Sequence, residues 1–330
     1  MNLVNGKAQK LDPREEHFAI PGPDPKLALF LRYLPSEQDK KGARRAVIYV
    51  HGATFPSALS IAHRFGGRSW RDALCTAGFD VWGFDFTGFG HSQRYPQMSD
   101  PANAHAPLCT AADAARQLEK VVEFVLEHQG LDSVSLISHS WGAMPAGLFA
   151  AAHPSKVDRW VLFAPICRRA PRRYEKPPLF PAWRLVSIED QWARFIEDVP
   201  AHEPPVLSRA EFEEWAQVYL DSDPDSRTRH PPAVKTPLGP FSEIIAAWHG
   251  ELGFEPRAVA APIAIIRGAW DGLVPDEDAQ WLFEAFERAP NKRDIKISHA
   301  THLMHLEKTR CALWRESIAF LQGDDVAQLP

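Results

Sequence analysis

Serine, aspartate and histidine occur in this chain at spacings that could together run nucleophilic catalysis. A serine hydroxyl is a poor nucleophile at neutral pH. It needs a base to take its proton and an acid to orient that base. Ser140 stands in Ser138-His139-Ser140-Trp141-Gly142, directly behind the β-rich run Val134 to Ile137 and ahead of a helical stretch. The pattern small-x-Ser-x-Gly marks a sharp strand-to-helix turn that forces one serine into unfavourable backbone angles. Only small side chains fit two positions to either side, because neighbouring backbone passes close there. Ser138 and Gly142 meet that demand, with serine where the pattern usually has its first glycine. Free N–H groups at the start of the following helix favour negative charge.

In this strand–turn–helix order the partners follow the serine, acid first and histidine last. The apolar run Ile263 to Arg267 ends in Gly268-Ala269-Trp270-Asp271-Gly272-Leu273-Val274-Pro275, and Ile295 to Ser298 ends in a loop holding His299, His302 and His305. Parallel strands bring their C-terminal ends to one edge of a sheet, so these loops can converge. The order Ser140, Asp271, His302 is the required one, with His299 and His305 as competitors for the last place. A metal reading of the three histidines lacks an acidic partner motif. No metal and no cofactor is expected.

The elements that must position these residues alternate. His17 to Ile20 and Leu27 to Leu34 predict an opening hairpin across Pro21-Gly22-Pro23-Asp24-Pro25. Arg45 to Val50 is an unbroken apolar strand, which suits a sheet covered on both faces. Then come a helix over Ser69 to Ala77, a strand over Phe79 to Phe86, and a long amphipathic helix over 110–129. Beyond the elbow helix another apolar strand runs from Val157 to Ala164. The alternation predicts a doubly wound, mostly parallel α/β sheet. It breaks from Pro165 to Pro256, where 14 of the 29 prolines fall, among short helical stretches at Ile188 to Ile196 and Arg209 to Leu220. Such a segment cannot be a regular strand–helix unit. Residues 1–165 and 257–330 therefore read as one core, and 166–256 as an insertion folded over it. Strand, helix, strand and helix resume from Pro262 to about Leu321.

Composition bounds the rest. With 330 residues, 45% hydrophobic and 24% charged, the chain has the make-up of a soluble globular protein with a sizeable core. A net charge of −5 supplies no basic field for nucleic acid. Cys75, Cys109, Cys167 and Cys311 form no CxxC pair and read as reduced. No apolar run approaches membrane-spanning length, and Met1 to Lys7 lacks the apolar stretch of a signal peptide. The expectation is a cytoplasmic protein with neither membrane nor nucleic-acid partner, its oligomeric state open.

Over essentially its whole length the chain resembles the α/β-hydrolase superfamily, in particular its capped serine esterases. His51-Gly52, the Asp85…Gly88…Gly90…Ser92 loop, the Ser138–Gly142 elbow, Asp271 before Val274-Pro275, and His302 before Glu307 carry the resemblance. Thr301 stands where the family usually has glycine before its histidine, which in that family occupies the place of His302. The resemblance implies an oxyanion hole of backbone N–H groups, one from Trp141 and the other from Ala53, with Thr54 as second choice. It gives Asp85 a scaffolding role. The bland readings of the neighbours are structural packing for His51 and His139, a helix cap for Asp276, and helix-start electrostatics for Glu307.

The resemblance also makes 166–256 a cap domain, roofing the serine and walling a pocket. Trp183, Trp192, Trp215, Trp248, Phe180, Phe195, Phe212 and Phe241 are candidate walls or the insertion's own core. The run Arg168-Arg169-Ala170-Pro171-Arg172-Arg173 is either a solvated charge run or a clamp for a substrate carboxylate. The leading expectation is a serine hydrolase cleaving a small-molecule carboxylic ester through an acyl-enzyme, the ester being a monoester with a free carboxylate if the arginines bind it. A proline iminopeptidase is the runner-up, with Glu211, Glu213 and Glu214 as candidate ammonium partners. A carbon–carbon hydrolase or perhydrolase uses the same three groups, and a non-catalytic ligand receptor is the alternative outside enzymes.

Overall fold

The apolar runs become the central strands of an eight-stranded sheet in the computed structural model, which describes residues 8–38, 44–170 and 178–323. In chain order its elements begin with β1 (Glu16–Pro21), β2 (Ala28–Leu34), β3 (Ala46–Val50), α1 (Trp70–Thr76), β4 (Asp80–Asp85) and α2 (Ala111–Gln129). Next come β5 (Val134–His139), α3 (Ala143–Ala152) and β6 (Val157–Phe163). An excursion follows, with β7 (Trp183–Ser187), α4 (Ile188–Ile196), α5 (Arg209–Asp221), β8 (Ala233–Pro237) and α6 (Gly239–Trp248). The chain closes with β9 (Ile263–Gly268), α7 (Asp276–Ala285), β10 (Lys292–Ile297) and α8 (Arg310–Gln322).

The strand order is β1-β2-β4-β3-β5-β6-β9-β10. β1 and β2 pair antiparallel, β2 pairs antiparallel with β4, and every pairing from β4 to β10 is parallel. This is the α/β-hydrolase fold. Every residue of β3, β4, β5 and β9 is buried, as expected of strands covered on both faces. The covering helices carry their own signals. Thr110 caps α2 by accepting from Asp113 N–H, Leu118, Val121, Val122 and Val125 form its buried stripe, and Gly130 ends it in the left-handed conformation at φ 65°. α2 packs beside α3, and α1 beside α8, where the Trp70 indole donates to Ser317 Oγ at 3.0 Å.

Between β6 and β9 the chain leaves the sheet. β7 and β8 form a separate antiparallel pair, which short length and flanking prolines conceal in the sequence. The excursion does not float. Phe195, Leu207, Phe212, Trp215 and Tyr219 bury themselves with Phe55, Leu59, Leu303 and Leu306 in a second apolar cluster. The Trp215 indole adds a hydrogen bond to the Leu59 carbonyl at 3.0 Å. All four cysteines are free thiols, Cys311 exposed and the others buried. Among the described residues no helix is long and apolar enough to cross a membrane.

Candidate active site

The turn after β5 places Ser140 at φ +56°, a left-handed backbone conformation for a non-glycine residue. Such strain costs on the order of 1–3 kcal/mol and persists only where its surroundings enforce it. They do so by crowding. A Cβ at Gly142 would lie 2.6 Å from the His51 carbonyl and 2.7 Å from that of Val50. Ser138 fills the other small-residue position, and its hydroxyl accepts from the Trp160 indole at 2.8 Å. The departure from glycine therefore has its own partner.

Asp271 follows β9 and is buried with its side chain fully enclosed. Its Oδ1 accepts from the backbone N–H of Leu273 at 2.9 Å and Val274 at 3.2 Å, which fixes the carboxylate before any histidine arrives. His302 follows β10. Its Nδ1–H donates to both Asp271 oxygens, at 3.1 and 3.0 Å, leaving Nε2 as the basic nitrogen. The backbone carbonyl of His302 accepts from His139 Nε2–H at 3.1 Å, so the residue beside Ser140 also ties down the histidine loop. Ser140 and His302 line one cavity of about 250 Å³ with Gly52, Ala53, Thr54 and Phe55. The residues that sequence order singled out are thus brought together.

The competing histidines lie elsewhere. His299 packs its ring edge-on to Trp270. His305 is buried 4.7 Å, ring to ring, from His139, with neither nitrogen hydrogen-bonded. Burial pushes the pKa of His305 down to about 3 and that of His139 well below the usual range, so both stay neutral. His51 accepts from Phe86 N–H on Nε2 and donates from Nδ1 to the Gly52 carbonyl, bracing the loop that holds Ala53 and Thr54. Asp85 is likewise scaffolding, accepting from Ser57 N–H at 2.9 Å and His91 N–H at 2.9 Å; a Cβ on Gly90 would overlap its carboxylate.

Two minor expectations are corrected. Asp276 does not cap α7; it pairs with Arg267 at 2.5 Å and Lys296 at 2.8 Å. Glu307 is fully buried behind the histidine loop and accepts from Thr301 N–H at 3.1 Å and from the Thr301 hydroxyl. Desolvation raises its pKa to about 7. Threonine in the usual glycine position adds the hydroxyl contact, which glycine could not make.

Of the expected arginine clamp, Arg168 and Arg169 do not line this cavity. Arg169 pairs with Asp278 at 2.7 Å and lies over Trp248, and Arg168 lies over Trp281. Both face other clefts, beside Glu251, Glu277 and Asp278. Arg172 and Arg173 lie outside the described residues. Trp183 donates to the Asp100 carbonyl and carries Lys235 over its ring, also away from Ser140. Glu211 and Glu213 bind Ser208 and Arg209 at the surface, and neither they nor exposed Glu214 line the cavity. Its actual excursion wall is Arg184, Arg194, Glu197, Phe241, Ile244 and Trp248.

Sequence reasoning missed Arg184, Arg194 and Glu243. Arg194 sits on α4 next to buried Phe195 and three positions after buried Gln191, a placement that only the fold reveals. Glu243 on α6 accepts from the Trp141 indole at 2.8 Å and from Ala111 N–H at the start of α2, tying excursion, elbow and core helix together. No local pattern announces such a contact.

The sequence profile for the alpha/beta hydrolase fold matches residues 45–309. Similar solved structures include a serine hydrolase from the bacterium Cycloclasticus zankles, 17% identical with TM-score 0.62 over 94% of this chain and 99% of that one. An esterase from Exiguobacterium antarcticum is 14% identical, with TM-score 0.59 over 92% and 99%. An epoxide hydrolase from Vigna radiata is also 14% identical, with TM-score 0.59 over 94% and 98%. No curated protein sequence matches the chain.

Proposed function

The chain belongs to the α/β-hydrolase family, and from that premise we propose that it is a serine hydrolase cleaving small carboxylic esters through an acyl-enzyme. One observation carries the reading: strained Ser140 shares a cavity with His302, whose Nδ1–H is held by buried, amide-anchored Asp271. His302 Nε2 takes the Ser140 proton as Oγ attacks the ester carbonyl carbon, and Asp271 stabilises the resulting imidazolium. The carbonyl oxygen becomes an oxyanion facing the backbone N–H groups of Trp141 and Ala53, with Thr54 next in line; losing one such donor typically costs about 3–4 kcal/mol of barrier. The tetrahedral species collapses, the alcohol departs with the proton from His302, and a water deprotonated by the same nitrogen hydrolyses the acyl-enzyme. The excursion acts as a lid, walling the cavity with Phe241, Ile244 and Trp248.

The serine hydroxyl supports this over epoxide opening, whose alkyl-enzyme route needs a carboxylate nucleophile at the elbow. The test is Ser140→Ala with p-nitrophenyl acetate and a fluorophosphonate probe. Turnover and labelling should both vanish while the circular dichroism spectrum stays unchanged. Labelling that persists in the variant would mean another nucleophile.

A further inference from the structure

The cavity at Ser140 contains two guanidinium groups that the mechanism above does not use. Arg184 on β7 and Arg194 on α4 both line it. Several other enclosed arginines among the described residues are neutralised by carboxylates, although Arg94 instead donates to the Ser222 carbonyl. Arg32 and Arg71 share Glu15 at 2.6 and 2.9 Å, Arg229 holds Asp223 at 2.7 Å, and Arg267 holds Asp294 at 2.9 Å. Neither Arg184 nor Arg194 forms an ion pair among the described residues. Arg194 Nη1 donates to Thr54 Oγ1 at 2.8 Å and Gln191 Oε1 at 3.2 Å, both neutral acceptors, and leaves Nε and Nη2 open. Arg184 lies 4.9 Å over the Phe241 ring, and its buried Nε has no partner.

Two like charges in a partly desolvated cavity, offset only in part by the field of Glu197 on the same wall, are costly, and arginine cannot escape by losing its proton. Burial and mutual repulsion push against the charged state of Arg194, and burial does so for Arg184. Glu197 is the carboxylate on the same wall; it pairs with neither arginine, and burial beside Asp198 disfavours its own charge. The cavity therefore carries an excess of positive charge directed at whatever lies against Ser140. A planar fork held against an aromatic ring presents its edge, the geometry that grips a carboxylate through two hydrogen bonds.

We infer that Arg184 and Arg194 form a carboxylate-recognition site within the substrate cavity, so that the preferred substrates are short dicarboxylic acid monoesters. This rests on the esterase reading, and it transfers the anion role from the arginine run after β6 to the excursion's inner wall. A cavity of about 250 Å³ suits a short diacid better than a long acyl chain.

Two measurements test it separately. In Ser140→Ala, calorimetric titration with monomethyl glutarate and with dimethyl glutarate reads recognition without turnover. The acid should bind at least tenfold more tightly. Arg184→Met and Arg194→Met in that background should each cut the ratio, and their combination should bring it to about one. In otherwise unaltered protein, kcat/KM for p-nitrophenyl hydrogen glutarate over its methyl ester should show the same preference, and Arg184→Met should lower that ratio. Equal affinity for acid and diester, or a preference that survives the double arginine replacement, overturns the inference. Binding preference without hydrolysis of either ester would sustain the site and sink the esterase reading. Hydrolysis of both esters with no preference would do the reverse.

Discussion

At the scale of single residues, geometry separates groups that composition alone makes equivalent. Three histidines fall within seven positions, yet only His302 reaches Asp271. Under the proposed mechanism His302→Ala should lower kcat/KM by about 10³-fold or more, the scale of losing a general base and its orienting partner. His305→Ala should instead remove a buried, unpartnered ring, lowering thermal stability while keeping kcat within about tenfold. Steady-state kinetics and melting curves of both variants decide it, and an inactive His305→Ala with a wild-type melting curve would reverse the assignment. Ser138 carries a second prediction. Ser138→Ala strands the Trp160 indole N–H in the core, which should cost about 1–3 kcal/mol in urea unfolding. In Trp160→Phe the same Ser138→Ala change should cost distinctly less, because the bond is already gone.

At the scale of elements, the histidine loop between β10 and α8 is held by a buried carboxylate, which makes stability respond to pH. Glu307 has its pKa raised from 4.5 to about 7, so the folded state binds its proton more tightly than the unfolded chain does. That contribution is complete below pH 4.5 and is lost as pH rises toward about 7. Glu307→Gln keeps an acceptor for Thr301 N–H without the titration. Its stability relative to wild type should therefore rise by up to about 3 kcal/mol between pH 4.5 and 8, the worth of a shift of this size. A difference that stays flat across that range would mean Glu307 titrates normally. The elements themselves were largely legible beforehand. Mainly apolar runs gave β3, β5, β6 and β9, and a clean helical stripe gave α2, because burial on both faces or on one leaves a trace in the sequence. β7, β8 and α6 left none: they are short, flanked by prolines, and stabilised by what they pack on. The same limit governed the cavity wall. Ser140, Asp271 and His302 follow from turn chemistry and chain order, which are local. Arg184 and Glu243 act across the fold, where neighbouring residues say nothing about the partner, while the dense arginine run drew attention to Arg168 and Arg169, which line other clefts.

At the scale of the whole molecule, the excursion shares its core with the loops that carry the proposed chemistry. Phe55 and Leu59 follow Ala53 and Thr54, while Leu303 and Leu306 flank His302 on the other side; all four pack with Phe195, Phe212 and Trp215. A roof attached this way cannot melt alone without loosening both loops, so activity and structure should fail together. Far-UV circular dichroism, tryptophan fluorescence and ester hydrolysis should therefore trace one coincident transition in urea. Trp215→Ala tests how far that coupling reaches. The side chain is fully buried, stacks on Tyr219 at 5.3 Å and bonds the Leu59 carbonyl, so truncation should cost about 3–5 kcal/mol. That is a large share of the 5–15 kcal/mol typical of a folded domain. All three curves should shift to lower urea by the same amount. If hydrolysis were lost well before the far-UV signal, in wild type or variant, the excursion would be an independently unfolding lid and the shared core would not couple it to the sheet.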